Sequence, residues 1–306
     1  MSEFGAVLRG GRSRRKLETV IKAAFLIFAC ASIITLGLIV VFLFWEGVPI
    51  FNRVSIRDFL FGMYWYPTDD PADFGIFPLI VASIAVTGLS SLISIPLGVF
   101  TALYLAEEAS PRVREIVKPM VELLAALPSV VIGFFGMVIV APFLQSIFDI
   151  STGLNLFNAS LMLAFMSIPT ICSISEDAIF SVPKDLKEAS LALGATHWET
   201  IRRVIVPAAV SGICTAVILG MSRAIGETMV VLMVAGGAAA VPGSIFDPVR
   251  PMPASIAAEM AEAPFRGDHY YALFATGIVL FLFTLLFNMV AEYLSNRYRQ
   301  VGAATL

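Results

Sequence analysis

Two ionisable residues, Arg223 and Glu227, stand inside a long apolar stretch of this 306-residue chain, in the order R-A-I-G-E-T. Read as one helix, their i, i+4 spacing puts both on one face. Arg223 falls more than four turns, over ~20 Å, beyond Pro207, which places it near the middle of a bilayer-spanning segment. A charge at that depth costs at least about 2.5–3.5 kcal/mol, so it must face a partner, a bundle interior or a wet cavity. Arginine offers a planar fork of donors that matches phosphate oxygens two at a time and stays charged. The expected chemistry is reversible oxyanion binding. Glu227 would be the counter-ion that neutralises the empty site and keeps the anion from being trapped. The bland alternative is a self-satisfied salt bridge locking helices together, a device that commonly adds no net stability over apolar replacements.

The remaining reactive side chains are less pointed. Glu122, Glu176, Asp177 and Glu292 fall near the ends of apolar stretches, where they can reach water. Glu176 and Asp177 are placed to meet Arg202 or Arg203. His197 and His269 are expected to be solitary, with no partner at ligand spacing. Cys30, Cys172 and Cys214 lie in apolar stretches at unrelated spacings, which argues against a disulfide or a metal site. No G-x-x-x-x-G-K-[ST] is present, so the chain cannot cradle a nucleotide itself. No G-x-S-x-G or H-E-x-x-H occurs, and no histidine falls in a span, which argues against an intramembrane enzyme. Catalytic residues, metal ligands and cofactors are therefore not expected.

The elements that must position Arg223 follow from composition. With 58% hydrophobic and 14% charged residues, the chain departs from soluble domains, which carry about 25% charged residues. An all-α integral membrane protein is expected. Six stretches can cross a hydrocarbon core of about 30 Å, near residues 21–44, 76–106, 121–143, 156–180, 208–236 and 270–293. The first is too long for a signal-peptide core and lacks a cleavage site, so it reads as a permanent anchor. Fifteen of the twenty Lys and Arg residues fall in the N-terminal tail, the second connection, the 183–207 segment and the C-terminus. That bias puts both termini and the 183–207 segment in the cytoplasm. The basic tail, residues 1–20, is expected to be mobile and drawn to anionic lipid. Pro96 and Pro169 lie well inside spans and mark candidate kinks. Ser83, Thr87 and Ser91, like Gly133 and Gly136, suit close helix packing more than a polar track. An A-S-I-A-A-E-M-A-E-A run between the last two spans has the composition of a short helix.

Between the fourth and fifth spans, residues 183–207 read P-K-D-L-K-E-A-S-L-A-L-G-A-T-H-W-E-T-I-R-R-V-I-V-P. Ser181 is an expected N-cap and Pro183 a first-turn residue. Gly194 suits a helix end that needs positive φ. Thr196 and Glu199 spell a capping box that opens a second helix, expected to stop near Pro207. A structured hairpin between spans is a docking element, since a plain connector needs only a few disordered residues.

Glu188, Ala189 and Ser190, three residues, Gly194, nine residues and Val204 to Pro207 resemble the EAA loop of ABC-importer permeases. Ser190, Val204 and Val206 are mild departures from that pattern. The run from Arg223 to Gly237 further resembles the PstC-type permeases of phosphate importers, over about residues 20–300. The resemblance implies a six-helix type I importer (MetI-like) permease fold. It also implies a first helix and outer loop at residues 21–75, a five-helix core at 76–295 with its coupling loop at 182–207, and a cytoplasmic tail at 296–306. By the same resemblance, Glu188, Ala189, Gly194 and Pro207 belong to the ATPase-coupling loop, and Arg223 and Glu227 to the phosphate route. The implied partners are a PstA-like sister permease in a heterodimer, a PstB-like ATPase dimer, a PstS-like extracytoplasmic phosphate-binding protein and membrane lipid, with no nucleic acid. A permease for sulfate or molybdate fits Arg223 equally well on physical grounds. An anion channel or secondary transporter would leave the docking segment unexplained and would need repeats that the sequence does not show.

Overall fold

The computed structural model describes the backbone of residues 2–303 and the side chains of residues 18–293. The basic residues Arg9, Arg12, Arg14, Arg15 and Lys16, and Arg297 and Arg299 at the other end, lie outside the described side chains. Helix α1 (Ser2–Gly47) continues through a 3-10 turn (Val48–Asn52) to a short α2 (Ile56–Phe61), whose N-cap Ser55 accepts from the Asp58 N–H. A small antiparallel hairpin follows, β1 (Trp65–Tyr66) and β2 (Asp73–Phe74), with Trp65 opposite Phe74. Helix α3 (Phe77–Leu103) then crosses the molecule and ends in a π turn (Tyr104–Glu108).

Helix α4 (Pro111–Ala126) is amphipathic and separate from the third span. The extended Leu127 and Pro128 interrupt the chain before α5 (Ser129–Phe135), a π turn (Gly136–Val140) and α6 (Ala141–Phe148). The third crossing is therefore Ser129–Phe148, not 121–143: a residue before proline is held out of helical conformation, which ends α4 there. Next come α7 (Leu156–Phe180), α8 (Lys184–Ala192), α9 (His197–Thr200), a third π turn (Ile201–Ile205) and α10 (Val206–Ile225). The chain closes with α11 (Met229–Val234), α12 (Met252–Glu259) in the expected A-S-I-A-A-E run, and α13 (Asp268–Ala303).

Six of these helical stretches are long and apolar enough to span a bilayer, and the chain is a multi-pass membrane protein. Pro96 and Pro169 both sit inside helices that run on through them. The centre is α7, with α3 on one side and α10 on the other. Close approach is set by glycine: a Cβ on Gly98 or Gly220 would stand 2.8 or 2.5 Å from the Ile171 side chain. Ser83, Thr87 and Ser91 are buried, and Ser83 Oγ accepts the Met252 N–H at 2.9 Å, so they serve packing and capping. Three apolar clusters stack along the molecule. One joins Phe59, Trp65, Leu79, Met252 and Leu273 at the far end from the hairpin. A central one holds Met162, Leu163, Val230 and Val234. The third, with Leu105, Ile179, Ile201 and Ile205, lies at the hairpin end. Most of α1 is uncovered and leans on α13.

Candidate functional site

The fifth crossing is not one helix from 208 to 236. Helix α10 ends at Ile225, and the chain breaks at Gly226 to Thr228 before α11 begins. The expected shared face for Arg223 and Glu227 is therefore lost. Glu227 Oε1 accepts the backbone N–H groups of Met229 at 3.2 Å and Val230 at 3.3 Å. These donors have no carbonyl partner within their own helix, and the positive end of the helix attracts a carboxylate. Gly226, a weak helix former, yields at the break. Val230, Val231 and Val234 of α11 are buried in the central cluster, which fixes the short helix after the turn. Arg223, in the last turn of α10, is exposed, and no ion pair joins it to Glu227 among the described residues.

Ala208, Thr215, Leu219, Arg223 and Gly226 are all exposed, at intervals that keep them on one stripe of α10. Helix α7 covers one flank of this stripe, where Gly212 meets Ala178 and Gly220 meets Ile171. Helix α13 covers the other. At that second flank Ser222 Oγ donates to Asn288 Oδ1 at 2.5 Å. Ser222 stands about 100° around the helix from Arg223, so the two polar groups border the same open stripe. Neither a guanidinium nor a carboxamide is stable against hydrocarbon, where an unsatisfied group costs several kcal/mol. This stripe needs water or a polar partner beside it. Ser222 and Asn288 escaped the sequence reading; a lone asparagine in the apolar run L-L-F-N-M-V was the available signal.

At the opposite end of α10 the hairpin folds as its local chemistry directs. Gly194 takes φ +85°, and the Thr196–Glu199 capping box forms, with the Thr196 N–H bonded to Glu199 Oε2 at 3.0 Å. Ser190 Oγ and Thr200 Oγ1, 2.9 Å apart, tie its two arms together. Two expectations fail here. Ser181 bonds back to the Asp177 carbonyl and finishes α7, while Pro183 is the N-cap of α8. Pro207 stops nothing: the π turn before it, closed by Val206 N–H to Ile201 O, gives a residue without a donor room to continue into α10. Glu188, Ala189 and Gly194 are exposed, and so are the apolar Leu191, Leu193 and Trp198, with Leu193 at 89%.

The hairpin is braced from α3 and its π turn. Glu107 pairs with Lys187, and Glu108 Oε1 meets His197 Nε2 at 3.1 Å, so His197 is not solitary. Glu176 is buried and pairs with Arg114 and Lys118 of α4 at 3.1 and 3.2 Å, rather than with Arg202 or Arg203. The reason is the separate α4, which lies along α7 and delivers both cations; Arg114 also stacks over the Phe180 ring at 3.8 Å. At the far end His269 is likewise partnered. Its Nε2 lies 2.8 Å from Glu259 Oε2, and the same carboxylate receives Arg250, the Trp65 indole N–H at 3.0 Å and Ser255. Arg250 also donates to the Gly237 carbonyl at 2.7 Å, just past α11. Residues so distant in sequence gave no local signal of this convergence. Among the described residues no cluster of metal-ligating side chains occurs.

The sequence profile of the family described as "binding-protein-dependent transport system inner membrane component" matches residues 94–300. A probable ABC transporter permease protein, YqgH of Bacillus subtilis, is 40% identical over 95% of this chain and 95% of its own length. The phosphate transport system permease protein PstC of Mesorhizobium japonicum is 34% identical over 87% of this chain and 86% of its own. Among solved structures, a chain of a bacterial alginate ABC transporter superposes with a TM-score of 0.62 at 18% identity, covering 90% of this chain and 96% of that one.

Proposed function

The chain belongs to the family of inner-membrane components of binding-protein-dependent transport systems, and we propose that it is the permease subunit of an ATP-driven importer of inorganic phosphate. The observation that carries this reading is Arg223: an exposed guanidinium in the last turn of α10, with no ion pair to Glu227 among the described residues because Glu227 caps α11. Its two-pronged donor geometry suits a tetrahedral oxyanion, and the similarity to PstC of Mesorhizobium japonicum favours phosphate among those anions.

Around that residue the roles divide as follows. The hairpin end and both termini face the cytoplasm, as the distribution of basic residues favours. A separate ATPase dimer grips the hairpin at Glu188, Ala189 and Gly194, with exposed Leu191, Leu193 and Trp198 as the apolar contact. Pro207 sits where the hairpin feeds into α10, so motion of the hairpin is passed along one continuous helix toward Arg223. A sister permease faces the uncovered stripe of α10 and completes the pore. An extracytoplasmic phosphate-binding protein delivers its cargo at the end carrying the Glu259 cluster. Phosphate then passes Arg223, and Glu227 stays as the nearby negative charge that limits its residence.

The test is uptake of radiolabelled phosphate and sulfate by cells making the parent or Arg223 variants, with and without the ATPase. Arg223→Ala should lower phosphate uptake at least about tenfold, and Arg223→Lys should restore little, because a point charge cannot replace the planar fork. Parent-like uptake by both variants overturns the proposal. Uptake that persists without the ATPase favours a channel, and preferred sulfate uptake favours another oxyanion.

A further inference from the structure

We infer that Ser222 and Asn288 make the Arg223 site selective for oxyanions that still carry a proton. The inference rests on the reading of Arg223 as the anion-binding group of the pathway. Its independent support is the short hydroxyl–amide bond on the border of the open stripe. Ser222 Oγ donates its only proton to Asn288 Oδ1 at 2.5 Å. What the serine still presents is lone pairs, so toward a ligand it is an acceptor alone. Asn288 keeps two amide N–H donors, and no other hydrogen bond to it is present among the described residues. The stripe thus carries a cation and is bordered on its α13 flank by an acceptor with amide donors.

That combination discriminates between anions of equal shape. Hydrogen phosphate offers ionised oxygens to Arg223 and the Asn288 amide, and one P–OH to the Ser222 lone pair. Sulfate and molybdate are fully ionised at neutral pH and have no proton to give, so their oxygens would meet the serine oxygen with like charge. A site built to receive a donor rejects the analogue that lacks it far more strongly than a merely apolar pocket could. Binding does not lock the anion in, because the serine contact is a single neutral hydrogen bond.

The experiment uses the assembled importer, this chain with its sister permease and ATPase but without the binding protein, so that the binding protein's own selectivity does not enter. Equilibrium dialysis measures bound radiolabelled phosphate at neutral pH, with sulfate and monofluorophosphate as competitors. The parent should favour phosphate over both competitors by about tenfold or more. Ser222→Ala should weaken phosphate about tenfold and bring the ratio near one, whereas Ser222→Thr should keep it. Asn288→Leu frees the serine proton while both anions lose the amide donors, so the preference for phosphate over sulfate should fall. If Ser222→Ala does not assemble, Asn288→Leu carries the test alone. Discrimination unchanged in these variants, with binding lost in Arg223→Ala, overturns this inference and leaves the Arg223 reading standing. Phosphate binding that survives Arg223→Ala, or is absent from the parent, overturns both.

Discussion

Glu227 shows how one carboxylate can serve two claims. Its i, i+4 spacing from Arg223 suggests a pair, yet the structure gives it to the N–H groups of Met229 and Val230. Side-chain type and spacing were legible in the sequence. The broken helix was not, because R-A-I-G-E-T is apolar enough to read as continuous and the glycine is a weak signal by itself. The capping role has a measurable consequence. Glu227→Ala should destabilise the purified complex by about 1 kcal/mol, the usual cost of a lost cap. Glu227→Gln retains a carbonyl acceptor and should lose less than half of that, while still changing transport because the negative charge is gone. Thermal unfolding and uptake measured on both variants separate the two roles; equal unfolding for both would rule out the cap.

Among the elements, the hairpin was legible where its chemistry is local and illegible where it is not. Gly194 and the Thr196–Glu199 box fold as read because each is settled within four residues. The π turn at Ile201–Ile205 carries no such signature, so Pro207 looked like a stop. The same limit hid the start of α5, since Val121, Leu123 and Leu124 extend the apolar run of the third span back into the surface helix α4. Gly194 offers a clean test of the turn. A Cβ there would meet nothing within 4 Å, so Gly194→Ala reports the backbone alone. It should cost about 1 kcal/mol, with Gly194→Asn milder because asparagine tolerates positive φ. Because the turn sets the angle between α8 and α9, ATPase stimulation by the loaded binding protein should fall in the same order. Stimulation untouched in Gly194→Ala would show that this angle does not matter to coupling.

Over the whole molecule, one acidic residue secures each end. Glu176 gathers Arg114 and Lys118 near the hairpin, and Glu259 gathers Arg250, His269 and Trp65 at the far end. The sequence reading foresaw six crossings but neither junction, because hydropathy counts length and not which helix lies beside which. Glu176 is buried, whereas the side chains of Arg114 and Lys118 are 36% and 30% exposed and can turn to water once it is gone. Glu176→Ala should therefore lower stability by about 2 kcal/mol, the loss of its charge-assisted hydrogen bonds. Glu259→Ala should cost at least as much, about 2–3 kcal/mol, since the buried Trp65 and His269 lose their shared acceptor. Hydrogen exchange should localise the two losses, to residues 104–126 in the first case and to residues 56–75 in the second. Diffuse, equal loosening in both variants would contradict the assignment of one carboxylate to each end.

The position of α1 bears on the same economy. It rests against α13 and the turn that follows α1 itself. A bilayer that thickens or thins can be met by tilting this outrigger, at a cost of fractions of a kcal/mol per Å. Such a tilt is taken up first where α1 meets α13, and not at α10 or α11, with which α1 shares no substantial contact among the described residues.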